Sequence, residues 1–238
     1  MKKFDLHIHS SCSKHTTWGI DGINTPQEIV EMAIRKGLDG ISITDHNTLQ
    51  GSQKAIQYIK EKKLSLYILP GTEIRTEMGD ILAFGINEDI PPRLSILETI
   101  DAIIDQGGIA VAAHPYKYNS KIGVFLEKSS SPLPFHAIEV FNANIRKTAN
   151  YQAFELAQTL NLPGIAGSDA HYMKNLGLGL TMLEIEELSV DSILKAILTN
   201  KVKLSCQYTP LSNILILYFK KIGHMLKRSV GKGRKPCT

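Results

Sequence analysis

The sequence predicts an α/β protein, closed into a barrel of parallel strands rather than laid out as an open sheet. Short apolar runs alternate with amphipathic stretches of about 10–15 residues, as βαβ units require. The alternation recurs roughly six or seven times, which fits a closed barrel better than an open sheet. No Gly-x-Gly-x-x-Gly or Walker-type loop follows any strand, which disfavours an open nucleotide-binding sheet. A length of 238 residues with 43% hydrophobic content suits one large soluble domain or two small ones.

The elements follow in order. "KKFDLHI" alternates apolar residues at Phe4, Leu6 and Ile8 and reads as a strand. "TPQEIVEMAIRKG" is a helix capped by Thr25, with Pro26 in its first turn, Glu28 three residues after the cap and Gly37 as its stop. "DGISIT", "LSLYIL" and "DILAFGI" are strands, with a helix over "TLQGSQKAIQYIKEKK" after the first of them. "RLSILETIDAIIDQGG" is a helix ended by glycines, and "IAVAA" the next strand. Tyr116 to Phe135 is the least regular part, read as a lid or crossover. "HAIEVFN", the helix "TANYQAFELAQTLN", the short strand "LPGIAG", "TMLEI" and the helix "VDSILKAILTN" complete the alternation.

The net charge of +4 hides two different parts. Seven of the 27 basic residues lie after Pro210 and no acid does, so 20 bases face 23 acids in the remainder. We therefore expect a mildly acidic barrel over residues 1–209 and a basic amphipathic tail over 210–238. The tail suits packing on the barrel for its first half, or contact with nucleic-acid backbone or an anionic membrane surface. No apolar run is long enough to span a membrane, the start lacks a secretory pattern, and a cytoplasmic setting is expected.

Polar, titratable residues recur where strands end. His7 and His9 close the first strand, with His15 beyond; Asp45 and His46 close the second. Glu73 follows the third, Asp80 stands near the start of the fourth, His114 follows "IAVAA", and Asp169 and His171 follow "LPGIAG". In a barrel these ends share one face. Residues two apart on a strand point the same way, so His7 and His9 can grip one ion. Imidazoles with carboxylates and no thiolates suit zinc, manganese or iron. No Cys-x-x-Cys spacing offers a thiolate site instead.

Taken together, "DLHIHS", "ITDHNT", "GTEI", "AAHP" and "GSDAH" resemble the polymerase-and-histidinol-phosphatase (PHP) superfamily of metal-dependent phosphoesterases, over roughly residues 3–183. The resemblance implies a distorted (β/α)7 TIM-like barrel with a cleft for two or three divalent ions at the C-terminal ends of its strands. It implies that His7, His9, Glu73 and Asp169 hold one ion, that Glu73 bridges to a second bound by His114, and that His46 and His171 serve a third. Asp80 stands where relatives often carry histidine, a change that favours manganese or iron over zinc. His15 is taken, ahead of Asp21, as the ligand after His9. Direct attack by metal-bound hydroxide is expected, with Glu73, Asp45 and His171 in catalytic roles. Arg75, Lys117, Asn142 and Arg146 are the expected substrate contacts. The substrate is a phosphomonoester, a nucleotide or an oligonucleotide end, with 5′-to-3′ exonuclease action as the near variant. Two other readings stay open: an amidohydrolase cleaving C–N bonds, and a metal-stabilised interaction domain without catalysis.

Overall fold

The computed structural model describes residues 1–13, 21–129 and 134–229, the last six of these by backbone alone. His15 falls outside the described residues. The strands are β1 (Lys2–Ile8), β2 (Gly40–Ile43), β3 (Tyr67–Ile68), β4 (Gly71–Arg75), β5 (Asp80–Phe84), β6 (Ile109–Ala112), β7 (Ala137–Asn142), β8 (Gly164–Gly167), β9 (Gly179–Leu183) and β10 (Val202–Cys206). The helices are α1 (Pro26–Arg35), α2 (Gln50–Lys62), α3 (Ile96–Ile104), α4 (Ile122–Lys128), α5 (Lys147–Leu160), α6 (Val190–Leu198) and α7 (Leu211–Ser229).

Helix starts follow local chemistry. Thr25 and Glu28 form the expected reciprocal capping box at α1, and Ser95 with Glu98 repeats it at α3. The stretch read as irregular contains α4. The sequence reading missed β10, a half-exposed strand interrupted by Lys203, which pairs antiparallel with β9.

The closed parallel barrel is corrected by the topology. Two five-stranded sheets form instead, in the orders β10-β9-β1-β2-β3 and β4-β5-β6-β7-β8. Among the described residues the two ladders are linked by two isolated bridges, Ile8 with Ala170 and His46 with Glu73. The ladder stops at both seams for a local reason. Asn47 and Asp169, adjacent to the bridging residues, have φ of 56° and 50°, outside the extended range that continuous pairing demands.

Pairing is also mixed. β4 and β5 are an antiparallel hairpin turned at Thr76–Gly79, where Thr76 N–H donates to Gly79 O at 2.8 Å. Gly79 has φ 151°, which a side chain would not tolerate there. This reversal puts the first residue of β5, Asp80, opposite the last residue of β4, Arg75. An acid at a strand start thereby reaches the same edge as residues at strand ends.

Alternate strand residues face two cores. Phe4, Leu6, Leu82, Phe84, Val111 and Ile165 pack with α6, while Ile81, Ala83, Ala110 and Ile138 pack with α3, α4 and α5. A third cluster joins Ile8, Ile41 and Ile43 to α1 and α2. The start of α7 is tied to the rim of the site. Thr209 N–H donates to Ala143 O at 2.9 Å, Asn213 Nδ2 donates to Asn175 Oδ1 at 2.8 Å, and Lys220 Nζ lies 5.2 Å from the centre of the Tyr172 ring. No helix among the described residues is long and apolar enough to cross a membrane.

Candidate metal centre

β1 carries His7 and, one residue past its end, His9; both are buried to within 1% of full enclosure. β4 brings Glu73 and the turn after β8 brings Asp169. Four atoms converge: His7 Nε2 lies 3.2 Å from His9 Nε2 and 3.3 Å from Glu73 Oε2, and His9 Nε2 lies 3.1 Å from Glu73 Oε2 and 3.2 Å from Asp169 Oδ1. His7 Nε2 to Asp169 Oδ1 is 3.6 Å. Donors about 2.0–2.1 Å from a shared tetrahedral ion sit about 3.3 Å from one another. These five distances are of the size expected between ligands of one ion, and the donor chemistry fits a divalent cation.

Neighbouring groups extend the set. Glu73 Oε1 is 2.8 Å from His114 Nε2, and Glu73 Oε2 is 3.4 Å from His46 Nδ1. Asp21 lies 3.2 Å from His9 Nδ1 and 3.0 Å from His171 Nε2, while His171 Nδ1 is 3.4 Å from Asp169 Oδ1. Among the described residues, three-residue groupings able to hold an ion are His7–His9–Asp169, His9–His46–Glu73, His9–Asp21–His171, Glu73–Asp80–His114 and His7–His114–Glu139. Glu73 and His9 are shared between groupings, as bridging ligands are. His114 and Asp169 have φ of 27° and 50°, backbone strain of the kind held at functional sites.

Burial and charge shift these groups strongly. Burial disfavours the charged form of His9, but Asp21, Asp169 and Glu73 outweigh it and hold the imidazole near 10. His7 is likewise lifted well above its ordinary value, burial being overcome by Glu139, Asp169 and Glu73. His46 goes the other way, to about 4, because burial dominates. Burial opposes ionisation of Glu73, Asp169 and Asp21, yet the surrounding imidazoles keep all three well below the usual carboxylate range.

Sequence reasoning missed one buried acid. Glu139 lies in β7, fully enclosed. Its Oε1 accepts from His7 Nδ1 at 2.8 Å; its Oε2 accepts from His114 N–H at 2.8 Å and from Asn142 Nδ2 at 3.2 Å. A glutamate inside the apolar run "AIEVF" was the available signal. Asp5, two residues before His7, is also enclosed and accepts from Ser168 N–H at 3.0 Å and Gly177 N–H at 2.7 Å.

Other expected residues are placed differently. Asp45 spends both oxygens on Ser10, accepting from its N–H and its hydroxyl at 2.6 Å each, and belongs to none of the ion-binding groupings. Asn142 is buried behind the ligands, donating to Glu139 and to Asp169 Oδ2 at 3.3 Å. Arg75 holds Asp80 through Nε at 2.8 Å and Nη2 at 3.1 Å. Lys117 is half-buried, and the charges of Asp169, Glu73 and Asp80 outweigh its desolvation and raise its ammonium. Arg146 is exposed at the start of α5. Asp21, ranked below His15 in the sequence, is delivered to the cluster.

The PHP domain model matches residues 5–131, and the PHP-associated model matches residues 147–202. The chain belongs to the PHP domain family. It is 39% identical over 145 residues to an uncharacterized protein of Methanocaldococcus jannaschii, covering 59% of this chain and 82% of that one. It is 30% identical over 135 residues to a 5′-3′ exoribonuclease of Haemophilus influenzae, covering 55% of this chain and 42% of the relative. A two-domain protein of Bacteroides vulgatus containing a predicted PHP-like metal-dependent phosphoesterase shares the fold, with a TM-score of 0.68 at 21% identity over 92% of this chain and 69% of that one.

Proposed function

We propose that the chain is a metal-dependent phosphoesterase acting on a phosphomonoester or on the phosphate at a nucleotide or oligonucleotide end. The observation that carries this is the convergence of buried donors from His7, His9, Glu73 and Asp169, 3.1–3.6 Å apart across five pairs, within overlapping groupings able to hold an ion. In this reading those four residues hold one divalent ion, Glu73 and His114 reach a second, and His46, His171 and Asp21 attend a third. Zinc, manganese and iron all match the donors. Divalent ions there supply Lewis acidity toward phosphoryl oxygens and a water acidified to near neutrality.

The chain's own residues supply the rest. The Lys117 ammonium, set against Asp169, Glu73 and Asp80, neutralises phosphoryl charge as it builds. Glu139 holds the tautomer of His7 in which Nε2 keeps its lone pair. His171, at 17% side-chain exposure the most open of the clustered imidazoles, is fixed by its Nδ1 on Asp169 O at 2.8 Å, which leaves Nε2 facing Asp21 for the third ion. Asp45 positions the Ser10 backbone after His9 rather than taking part in proton transfer. Lys220, beside the Tyr172 ring, and Lys221, which feels the charges of Asp21 and Asp169, add positive charge near the site, and Arg146 is exposed before α5, a distribution that suits a nucleic-acid backbone. The likeness to an exoribonuclease favours a nucleotide-type substrate, and 5′-to-3′ trimming of short oligonucleotides is the variant to test first. A cytoplasmic setting fits such a substrate.

Turnover of mono- and bis-p-nitrophenyl phosphate with Mn²⁺ tests the reading, with Glu73→Ala alongside. Phosphate release that disappears in the variant is the expected result. Turnover of an anilide instead would move the chain to C–N hydrolysis, and bound metal with neither activity would leave an interaction domain.

A further inference from the structure

Beside the metal cluster lies a groove of about 640 Å³. Its inner wall is continuous with the site. Asn47 follows His46 and donates its N–H to Glu73 O at 2.9 Å; its Oδ1 accepts from Arg75 N–H at 2.9 Å. Arg75 spans the boundary, lining the groove while its guanidinium grips Asp80, and Asp80 lies with Glu73 and His114 within one ion-binding grouping. The outer wall comes from the "DIPPR" stretch after β5, which no part of the metal chemistry uses; its Asp89 accepts from Leu49 N–H at 2.7 Å. There Pro91 and Pro92 present rigid apolar rings, and Arg93 is exposed.

Arg93 has φ 67°, and its N–H donates to Arg75 O at 2.7 Å. A left-handed arginine is costly, and glycine or asparagine would relieve the strain. The hydrogen bond ties the two arginines' backbones together on one side of the groove. The volume falls within the range of small-molecule sites. The exposed Arg93 guanidinium beside apolar ring edges matches a ligand with a phosphate and a flat ring, and a simple sugar phosphate offers no ring to the prolines.

We infer that this groove seats the leaving side of a single-stranded nucleotide chain, with Arg93 gripping the phosphodiester next to the reacting phosphate and Pro91–Pro92 supporting its base. The inference rests on the phosphoesterase reading and names the substrate class for it. It makes Arg93 a specificity residue for substrates that extend past one phosphate.

The test uses the full chain with Mn²⁺ and two substrates, p-nitrophenyl phosphate and a 5′-phosphorylated deoxydinucleotide. Arg93→Asn removes the charge and tolerates the left-handed backbone. The ratio of kcat/KM for the dinucleotide to that for p-nitrophenyl phosphate should fall about tenfold, mainly through KM, the effect of one lost charge-assisted phosphate contact. The slope of log kcat/KM against log salt should weaken by about one for the dinucleotide, and Arg93→Lys should restore it. A ratio within twofold of the wild type overturns the inference. If the wild type cleaves neither substrate, the phosphoesterase reading fails separately. Equilibrium binding of a fluorescein-labelled dinucleotide then decides the groove: weaker binding by Arg93→Asn supports it, and equal binding or none by the wild type ends it.

Discussion

Replacing Glu139 by glutamine tests whether a buried carboxylate behind the ligands governs the metal centre. The side chains are isosteric, and the position is fully enclosed, so no water can repair a mismatch. Two donors, His114 N–H and Asn142 Nδ2, point at Oε2, and one, His7 Nδ1, points at Oε1. Glutamine has a single acceptor oxygen. Turned toward the two donors, it sets its amide against His7 Nδ1. The imidazole must then move its proton to Nε2, the atom that faces His9, Glu73 and Asp169. Turned toward His7, it leaves two buried donors without an acceptor, at about 1–3 kcal/mol each. The first route avoids two unpaired donors and is the cheaper, and it should cost about 1.4–2.7 kcal/mol of metal binding, a 10–100-fold loss of affinity. Titrating metal-free protein with Mn²⁺ or Zn²⁺ against a competing chelator measures it. His7 also loses its foremost stabilising carboxylate, so protons compete less for it, and the loss should be larger at pH 8 than at pH 6. Binding by Glu139→Gln within threefold of the wild type at pH 8 would refute the reasoning.

Three further outcomes follow from the same geometry. Because His9 is held near 10 by Asp21, Asp169 and Glu73, it is protonated at pH 7 without metal, and loading must expel that proton; calorimetry in buffers of different ionisation enthalpy should report at least one proton released, and none would contradict the assignment. Burial raises Asp5 from 3.8 to about 6, so the folded state binds its proton more tightly than the unfolded chain; its contribution is fully present below pH 3.8 and is lost as pH rises through 6, worth about 3 kcal/mol at 1.36 kcal/mol per unit. Asp5→Asn should flatten that part of the denaturation profile of metal-free protein while costing stability at the Gly177 N–H, and an unchanged profile would count against it. A methyl group at Gly167 would stand 2.4 Å from His7 Cβ and 2.8 Å from Glu139 Oε1, so Gly167→Ala should destabilise by about 1–3 kcal/mol in urea and weaken metal binding; a normal midpoint with normal affinity would be the contrary result.

Much of the cluster was legible because its residues sit where a recognisable local pattern ends. His7 and His9 are two apart on a strand, and His46, His114 and Asp169 each follow an apolar run; such placement needs no knowledge of the neighbours. Asp45 was legible as an acid beside the site but not as the anchor of Ser10, since that depends on which backbone the second strand meets. Glu139 was visible only as an acid within an apolar strand. Its partner His7 is 132 residues away, and no local pattern records that distance.

By itself the sequence determined the alternation of strands and helices, their caps, and the types of atom offered at strand ends, because these depend on periodicity and on neighbours a few residues apart. Tertiary structure alone decided that the strands form two sheets meeting at single bridges, that the β4–β5 hairpin reverses direction to bring Asp80 to the site, and that Asp21 reaches His9 and His171. Those outcomes turn on long-range pairing and on the desolvation of charges packed from many elements. Neither can be read from a chain before its distant parts are brought together.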